Sequence, residues 1–208
     1  MKYHLGCGSY YLEGYTNVDF PSSNHNVNHE VKADVYTDIL KMDYEACDEI
    51  RSHHFFEHFN YIDSFVLLYK WTLSLNDGSI LIIDLPDLSA LCNAYLNGSV
   101  ESKFRAIRYL YGSHEAPWAY HINGWSEDTL SLLLRTLGYK ITSIEKYGDY
   151  KSSYPNCGVK ITAELVTKFD KEDLKTSLLS LFSKYKNGDT DFENRLVDFW
   201  GSEFLKKV

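Results

Sequence analysis

The sequence predicts an α/β domain built on a mostly parallel sheet, and three observations support this. Short apolar runs bounded by Gly, Asp and Pro alternate with longer segments of helical period. The first run ends in a glycine turn, and the second ends in an acid. A chain of 208 residues is long enough for one buried core. The predicted strands are residues 2–5, 15–19, 31–35, 48–53, 79–84, 140–147 and 158–166.

Four helices are predicted from apolar spacing and end signals. Residues 62–75 carry apolar side chains at helical spacing, and Asn76-Asp77-Gly78 follows as a terminating turn. Ser126 is the expected N-cap of a second helix, which stops at Gly138. Two closing helices are predicted at 171–184 and 191–206. We therefore expect a main domain at residues 1–168 and a C-terminal helical extension at 169–208 packed on it.

Charge, cysteine spacing and apolar content indicate which kinds of partner the protein is not expected to bind. The formal net charge of −8 gives little electrostatic reason to bind nucleic acid. The four cysteines form no CxxC pair, so neither a zinc knuckle nor a disulfide framework is indicated. There is no apolar signal segment, and no apolar run is long enough to cross a bilayer. We expect a cytoplasmic protein without membrane insertion that acts on a small molecule, and its oligomeric state is left open.

The segment His4-Leu5-Gly6-Cys7-Gly8 places a G-x-G turn directly after a strand, where the backbone can approach a ligand closely. Asp19 ends the second strand, where a carboxylate can accept both hydroxyls of a ribose. Asp38 follows the third strand and could accept an exocyclic amine of adenine. Because Asp19 follows Gly8 too closely for a full helix and the third glycine of GxGxxG is missing, a pyrophosphate would be poorly held. A phosphate-free adenosine cofactor fits this pattern better.

Several motifs in order carry a family resemblance over about residues 2–166. The chain resembles the class I S-adenosylmethionine-dependent methyltransferases through LGCG, GYTNVD, HHFFEHF, LNDGS and LPD. More narrowly, it is similar to a small branch associated with bacterial surface-polysaccharide clusters. It departs from that pattern where Tyr15 replaces Trp, Phe55-Phe56 replaces Val-Leu, and Asn76-Asp77-Gly78 replaces Pro-Gly-Gly.

The resemblance implies a Rossmann-like sheet of seven strands in the order 3-2-1-4-5-7-6. Its last strand would be antiparallel, its first helix reduced, and a helical extension would follow. S-adenosylmethionine is the implied cofactor. The implied contacts are Gly6, Cys7 and Gly8 around the methionine portion, Asp19 on the ribose, Asp38 and the Ile39 backbone at the adenine, and the His53 carbonyl on the methionine amine.

Two histidines are candidate bases, because a neutral imidazole can remove the one proton that a hydroxyl acceptor must lose. They are His58, after the fourth strand, and His121, in a loop after the fifth. A capping or loop-fixing hydrogen bond is the alternative role for each. His54 to His58 also matches HxxEH, a zinc-protease pattern, yet it follows a strand and lacks a convincing third ligand. We therefore predict no metal.

Aromatic residues suggest the acceptor site. Trp118 and Tyr120 lie in a predicted loop, with Tyr10 and Tyr11 beside the glycine turn, and sugars stack on such rings. Packing of a lid onto the core is the alternative role. The predicted reaction is methyl transfer to an oxygen, less readily a nitrogen, of a small polar acceptor such as a sugar or nucleotide-linked sugar in surface-glycan biosynthesis. Two alternatives are a non-catalytic binding protein with the same fold and an NAD-dependent oxidoreductase.

Overall fold

The computed structural model describes residues 1–27, 30–149, 151 and 156–208 and shows a seven-stranded sheet in the order β3-β2-β1-β4-β5-β7-β6. β1, β2, β3, β4 and β5 pair in parallel, whereas β7 runs antiparallel to both of its neighbours. The predicted order and the antiparallel last strand are confirmed. The strands are β1 Lys2–Leu5, β2 Thr16–Asp19, β3 Val35–Tyr36, β4 Cys47–His53, β5 Leu75–Pro86, β6 Tyr139–Tyr147 and β7 Gly158–Leu165.

Helices pack on the sheet around one apolar core. The last two helices contact the first, since the Phe65 and Phe182 rings lie 4.6 Å apart and the Tyr69 and Phe204 rings 6.1 Å apart. Within the described residues, no helix has both the length and the apolar content to cross a bilayer. The helices are α1 Tyr61–Ser74, α2 Leu88–Asn97, α3 Val100–Tyr111, α4 Glu127–Thr136, α5 Lys171–Phe182 and α6 Asp191–Leu205.

The third strand differs from its prediction. Residues 31–35 were expected to form it, but only Val35–Tyr36 pair with β2. The preceding backbone is bonded elsewhere: the Lys32 N–H donates to the Gly8 carbonyl at 2.9 Å, and the Asp34 N–H to the Asn17 carbonyl at 2.8 Å. This segment therefore supports the glycine turn, and the strand is only two residues long.

Two further differences lie near the middle of the chain. Residues 76–78 were predicted to form the turn that ends the first helix. They instead belong to β5, which begins at Leu75 directly after α1 and whose pairing with β4 is irregular at this end. No helix was predicted between the fifth strand and Ser126, but Leu88–Asn97 and Val100–Tyr111 form α2 and α3. The apolar residues of α3 recur at helical spacing, but its large apolar side chains do not face the core.

Residues 6–15, all of which are described, form no helix, so the first helix is absent where a reduced one was expected. The carboxyl ends of β1, β2 and β4 reach the same edge of the sheet, since Leu5 pairs with both Val18 and Ser52. In open α/β sheets this edge is where ligands bind.

Candidate functional site

A cavity of about 820 Å³ opens at the carboxyl edge of the sheet. Its volume falls in the range of small-molecule and cofactor sites. Six of the residues selected from the sequence line it, which are Gly6, Gly8, Asp19, Asp38, His58 and Trp118. Residues that were far apart in the predicted motifs are therefore brought together in one site.

The glycine turn has the strained backbone that glycine permits. Gly6 and Gly8 have φ angles of +68° and +54°, in the left-handed region. A Cβ added to Gly6 would lie 2.6 Å from Cβ of Phe55, so the turn also needs glycine for packing. Phe55 lines the cavity next to this turn, and the sequence interpretation had not assigned it to the site.

Asp19 is held in a fixed orientation at the end of β2. Its Oδ2 accepts the Gly8 N–H and its Oδ1 accepts the Phe20 N–H, both at 2.6 Å. Each carboxylate oxygen has a second lone pair, so both remain able to accept a ligand hydroxyl. The carboxylate thus links the glycine turn to the predicted ribose position.

Asp38 lies just after β3 on the same cavity. Its Oδ1 accepts the Leu40 N–H at 3.1 Å, and its Oδ2 lies 3.2 Å from Nζ of Lys41. The Ile39 side chain is buried in the core. Ile39 is not among the cavity-lining residues, and its carbonyl accepts the Tyr44 hydroxyl at 3.2 Å, so its backbone contact with adenine stays a prediction.

Cys7 and His53 are not among the cavity-lining residues. The buried Cys7 thiol donates to the Lys32 carbonyl at 3.3 Å, and burial raises the pKa of this thiol to about 12. Cys7 is therefore protonated and fixes the turn. The His53 ring Nδ1 lies 3.0 Å from Oδ2 of Asp84, so its side chain faces a protein carboxylate.

The predicted aromatic residues separate into one that lines the cavity and three that do not. Trp118 lines it. The Tyr11 hydroxyl donates to Asp34 at 2.9 Å, Tyr10 is 60% exposed, and the Tyr120 ring stacks on His114 at 4.2 Å. In this structure, three of the four rings thus lie outside the cavity lining, on the surface or against other side chains.

Two distant loops join over the cavity. The Trp118 Nε1–H donates to the Asn24 carbonyl at 3.0 Å, and the Glu115 carboxylate accepts the Asn26 N–H at 2.8 Å. The His25 ring lies 4.5 Å from that of Trp118. The sequence interpretation missed the wall at residues 20–27, because contacts between segments about 90 residues apart leave no local pattern.

A buried carboxylate lies among the candidate histidines. Glu57 is 2% exposed, and its Oε1 lies 3.4 Å from Nδ1 of His54 and 3.7 Å from Nε2 of His121. The His58 and His121 rings are 4.8 Å apart. His58 lines the main cavity, whereas His121 borders a separate small pocket with Glu57. Glu57 and His121 thus form the inner side of the cluster.

Hydrogen bonds fix the tautomers of the two candidate bases. A carbonyl can only accept, so Nδ1 of His58 donates to Tyr120 O at 3.0 Å, and Nδ1 of His121 donates to Tyr109 O at 2.8 Å. When these rings are neutral, each therefore carries its lone pair on Nε2. That is the protonation state a general base requires.

The charge of Glu57 is balanced by His54. Burial opposes the charged form of both groups, but their mutual attraction prevails, so the pKa of Glu57 falls below its ordinary value and the pKa of His54 rises. Burial lowers the pKa of His121, which keeps that ring neutral. A protonated His54 can thus pair with Glu57, while His121 beside it stays neutral.

The HxxEH segment is not the helix that zinc proteases use. Residues Phe56–His58 form a single 3-10 turn, and His54 has a φ of +46°. The fold nevertheless supplies a third side chain that the sequence did not indicate, since Glu57, His58 and His121 bring potential ligand atoms within 4.8 Å of one another. A second group with the same property is His53, His54 and Asp84, so within the described residues either cluster could hold a metal ion.

We expect His54→Gln to change how stability depends on pH. A raised folded-state pKa stabilises the protein fully below the unfolded value near 6.5, and this contribution is lost as pH rises through the folded-state pKa. The wild type should therefore lose stability relative to His54→Gln as pH increases above about 6.5. Urea unfolding at several pH values measures this, with His114→Gln as the exposed control. A difference that stays constant with pH would contradict the ion pair.

Comparisons with known proteins identify the fold. Neither protein-family models nor curated proteins gave a match to this chain. A SAM-dependent methyltransferase of Methanosarcina mazei is similar in structure, with a TM-score of 0.52 and 14% identity over 78% of this chain and 91% of that one. One from Archaeoglobus fulgidus has a TM-score of 0.52 and 17% identity over 78% and 85%. A putative methyltransferase of Bacillus halodurans has a TM-score of 0.51 and 10% identity over 80% and 92%. The chain therefore has the Rossmann-like fold of class I methyltransferases.

Proposed function

We propose that this protein is an S-adenosylmethionine-dependent methyltransferase. The observation that carries the proposal is the cavity formed by Gly6, Gly8, Asp19 and Asp38 at the carboxyl ends of β1, β2 and β3, in a sheet with the methyltransferase strand order. Fold alone does not specify function, so the proposal depends on the residues of this site.

The site fits a cofactor that carries adenosine and an amino acid but no phosphate. Asp19 presents two oriented oxygens to a ribose, and Asp38 lies on the same cavity for the adenine. The described residues 6–15 contain no helix whose N-terminus could hold a pyrophosphate. This absence favours the sulfonium cofactor over NAD. We assign the glycine turn with the Cys7 backbone and the His53 carbonyl to the methionine portion.

The chain has to position the acceptor and take one proton. When bound, S-adenosylmethionine supplies a methyl group already activated for in-line attack. We assign proton removal to His58, because it lines the cavity and its Nδ1 bond to Tyr120 leaves Nε2 free to accept. That nitrogen would take the proton that the acceptor hydroxyl loses when it is methylated. His121 is the second candidate, behind His58 on the Glu57 side.

We further propose that the acceptor is a small polar molecule methylated on oxygen, less readily on nitrogen. A sugar or nucleotide-linked sugar suits the cavity rim, where Trp118 offers a ring and Arg108 and Glu115 offer charged groups. Tyr10, Tyr11 and Tyr120 would join this site by moving toward a bound acceptor. A place in surface-glycan biosynthesis is supported by the motif resemblance alone.

Thermal shift with S-adenosylhomocysteine and with NAD tests the proposal. A ligand that binds only the folded state raises the free energy of unfolding, by about 2.7 kcal/mol when its concentration is 100 times its dissociation constant. The melting temperature rises as a consequence. We expect a rise with S-adenosylhomocysteine and none with NAD. The opposite pattern would indicate an oxidoreductase. A rise without methyl transfer to any sugar or nucleotide sugar tested would favour a non-catalytic binding protein.

A further inference from the structure

The helical hairpin formed by α2 and α3 exposes its apolar side and buries its small residues. Val100, Phe104, Ile107 and Tyr111 are 65%, 70%, 39% and 57% exposed. Their spacing of four, three and four residues places them on one stripe of α3. The residues that α3 buries are Ser102 and Ala106. A helix of a globular protein normally orients its apolar stripe toward the core, so this stripe requires another explanation.

Close packing between the two helices explains why small residues face inward. A Cβ on Gly98, at the link between them, would lie 2.6 Å from Oγ and 2.8 Å from Cβ of Ser102 in α3. The large apolar residues are consequently on the outer side, where Leu96 and Tyr95 of α2 are 69% and 44% exposed. We call this surface the hairpin patch, and it consists of Tyr95, Leu96, Val100, Phe104, Ile107 and Tyr111.

The charge around the hairpin patch is opposite to that of the whole chain. Residues 88–111 contain Lys103, Arg105, Arg108 and a single acid, Glu101, in a protein of net charge −8. At 100° per residue, Lys103 and Arg108 lie roughly 70° to either side of the stripe. Pairing of this patch with the same patch on a second copy would bring two basic surfaces together. The charge instead favours an anionic partner.

We propose that the hairpin patch docks on an anionic lipid surface. An interfacial helix of this kind combines an apolar face containing aromatic rings with flanking Lys and Arg, and it lies in the headgroup region without crossing the bilayer. Long basic side chains beside the stripe can reach the lipid phosphates while the rings enter the interface. Arg108 also borders the cavity, so docking would hold the cavity mouth beside the lipid surface.

Vesicle cosedimentation tests the proposal with the full chain. The probes are vesicles of phosphatidylcholine alone and of phosphatidylcholine mixed with phosphatidylglycerol. Phe104→Ser/Ile107→Ser removes the centre of the patch. The matched control is Phe192→Ser/Phe199→Ser on α6, where the two rings are 60% and 54% exposed. Lys103→Gln removes one flanking charge. Circular dichroism and thermal unfolding show that each variant is folded.

We expect the wild type and the α6 control to bind the anionic vesicles. Binding should fall about tenfold in Phe104→Ser/Ile107→Ser and about fivefold in Lys103→Gln. Lack of wild-type binding would overturn the proposal. Equal binding to neutral and anionic vesicles would also overturn it. The proposal would also be overturned if light scattering showed a wild-type dimer and a monomeric Phe104→Ser/Ile107→Ser variant, because the patch would then join two copies of this chain. Cofactor binding is read separately, so its failure would affect the proposed function and not the docking surface.

Discussion

Asp19→Ala is expected to weaken binding of S-adenosylhomocysteine by at least about 100-fold, because hydrogen bonds to a charged acceptor contribute about 1.5–3 kcal/mol each and the variant loses two. Both oxygens of Asp19 are oriented by backbone N–H groups at 2.6 Å. The carboxylate therefore requires no rearrangement to receive the two ribose hydroxyls. Isothermal titration calorimetry measures the loss directly.

Asp19 also supports the glycine turn, so the Asp19→Ala result needs controls. Asp19→Asn keeps one acceptor oxygen and should lose less affinity than Asp19→Ala. Asp38→Ala should also lose less, because the Asp38 carboxylate is partly engaged with the Leu40 N–H and with Lys41. Urea unfolding without ligand separates damage to the fold from loss of the contact. Unchanged affinity in folded Asp19→Ala would remove the proposed cofactor site.

The part of the site that could be predicted from sequence is the part that follows strand ends. Gly6, Gly8, Asp19 and Asp38 each lie within a few residues of a strand, and the parallel register brings these ends to one edge. Predicting these four positions required only the apolar pattern of the strands and the residue types that turns and strand ends favour. The same reasoning failed for the third strand, because residues 31–34 bond to the glycine turn and to β2 in a way that no local pattern shows.

The part that could not be predicted depends on contacts between distant segments. In the sequence, Glu57 was only the acidic position of the HxxEH pattern. Its burial beside His54 and His121 arises when the loop after α3 folds over it. Glu115 and Trp118 close the cavity by binding residues 24–27, about 90 residues earlier. α3 was not predicted although its apolar residues recur at helical spacing after the N-cap Ser99, so this signal was present in the sequence and was overlooked. That its apolar stripe is exposed is what the sequence could not show.

His58→Ala is expected to lower kcat by about 100-fold to 10,000-fold, the usual contribution of a general base. Binding of S-adenosylhomocysteine should stay nearly unchanged, since the proposed cofactor contacts belong to other residues. Exogenous imidazole should restore part of the rate, because the truncated side chain leaves space on the open side of the cavity. Steady-state kinetics with the acceptor, with and without imidazole, provide the measurement.

His121→Ala should also cut turnover with nearly intact cofactor binding, but for a different reason. His121 lies behind His58, with its Nε2 3.7 Å from Glu57 and its Nδ1 bonded to Tyr109. Its half-buried position gives added imidazole less access, so we expect no rescue of His121→Ala. Rescue of His121→Ala with none of His58→Ala would assign the base to His121. Equal loss of turnover and cofactor binding would make His121 structural. We expect turnover to survive a chelator, because a protonated His54 can pair with Glu57 in place of a metal ion. Loss of activity on chelation would instead indicate a bound ion, held either by Glu57, His58 and His121 or by His53, His54 and Asp84.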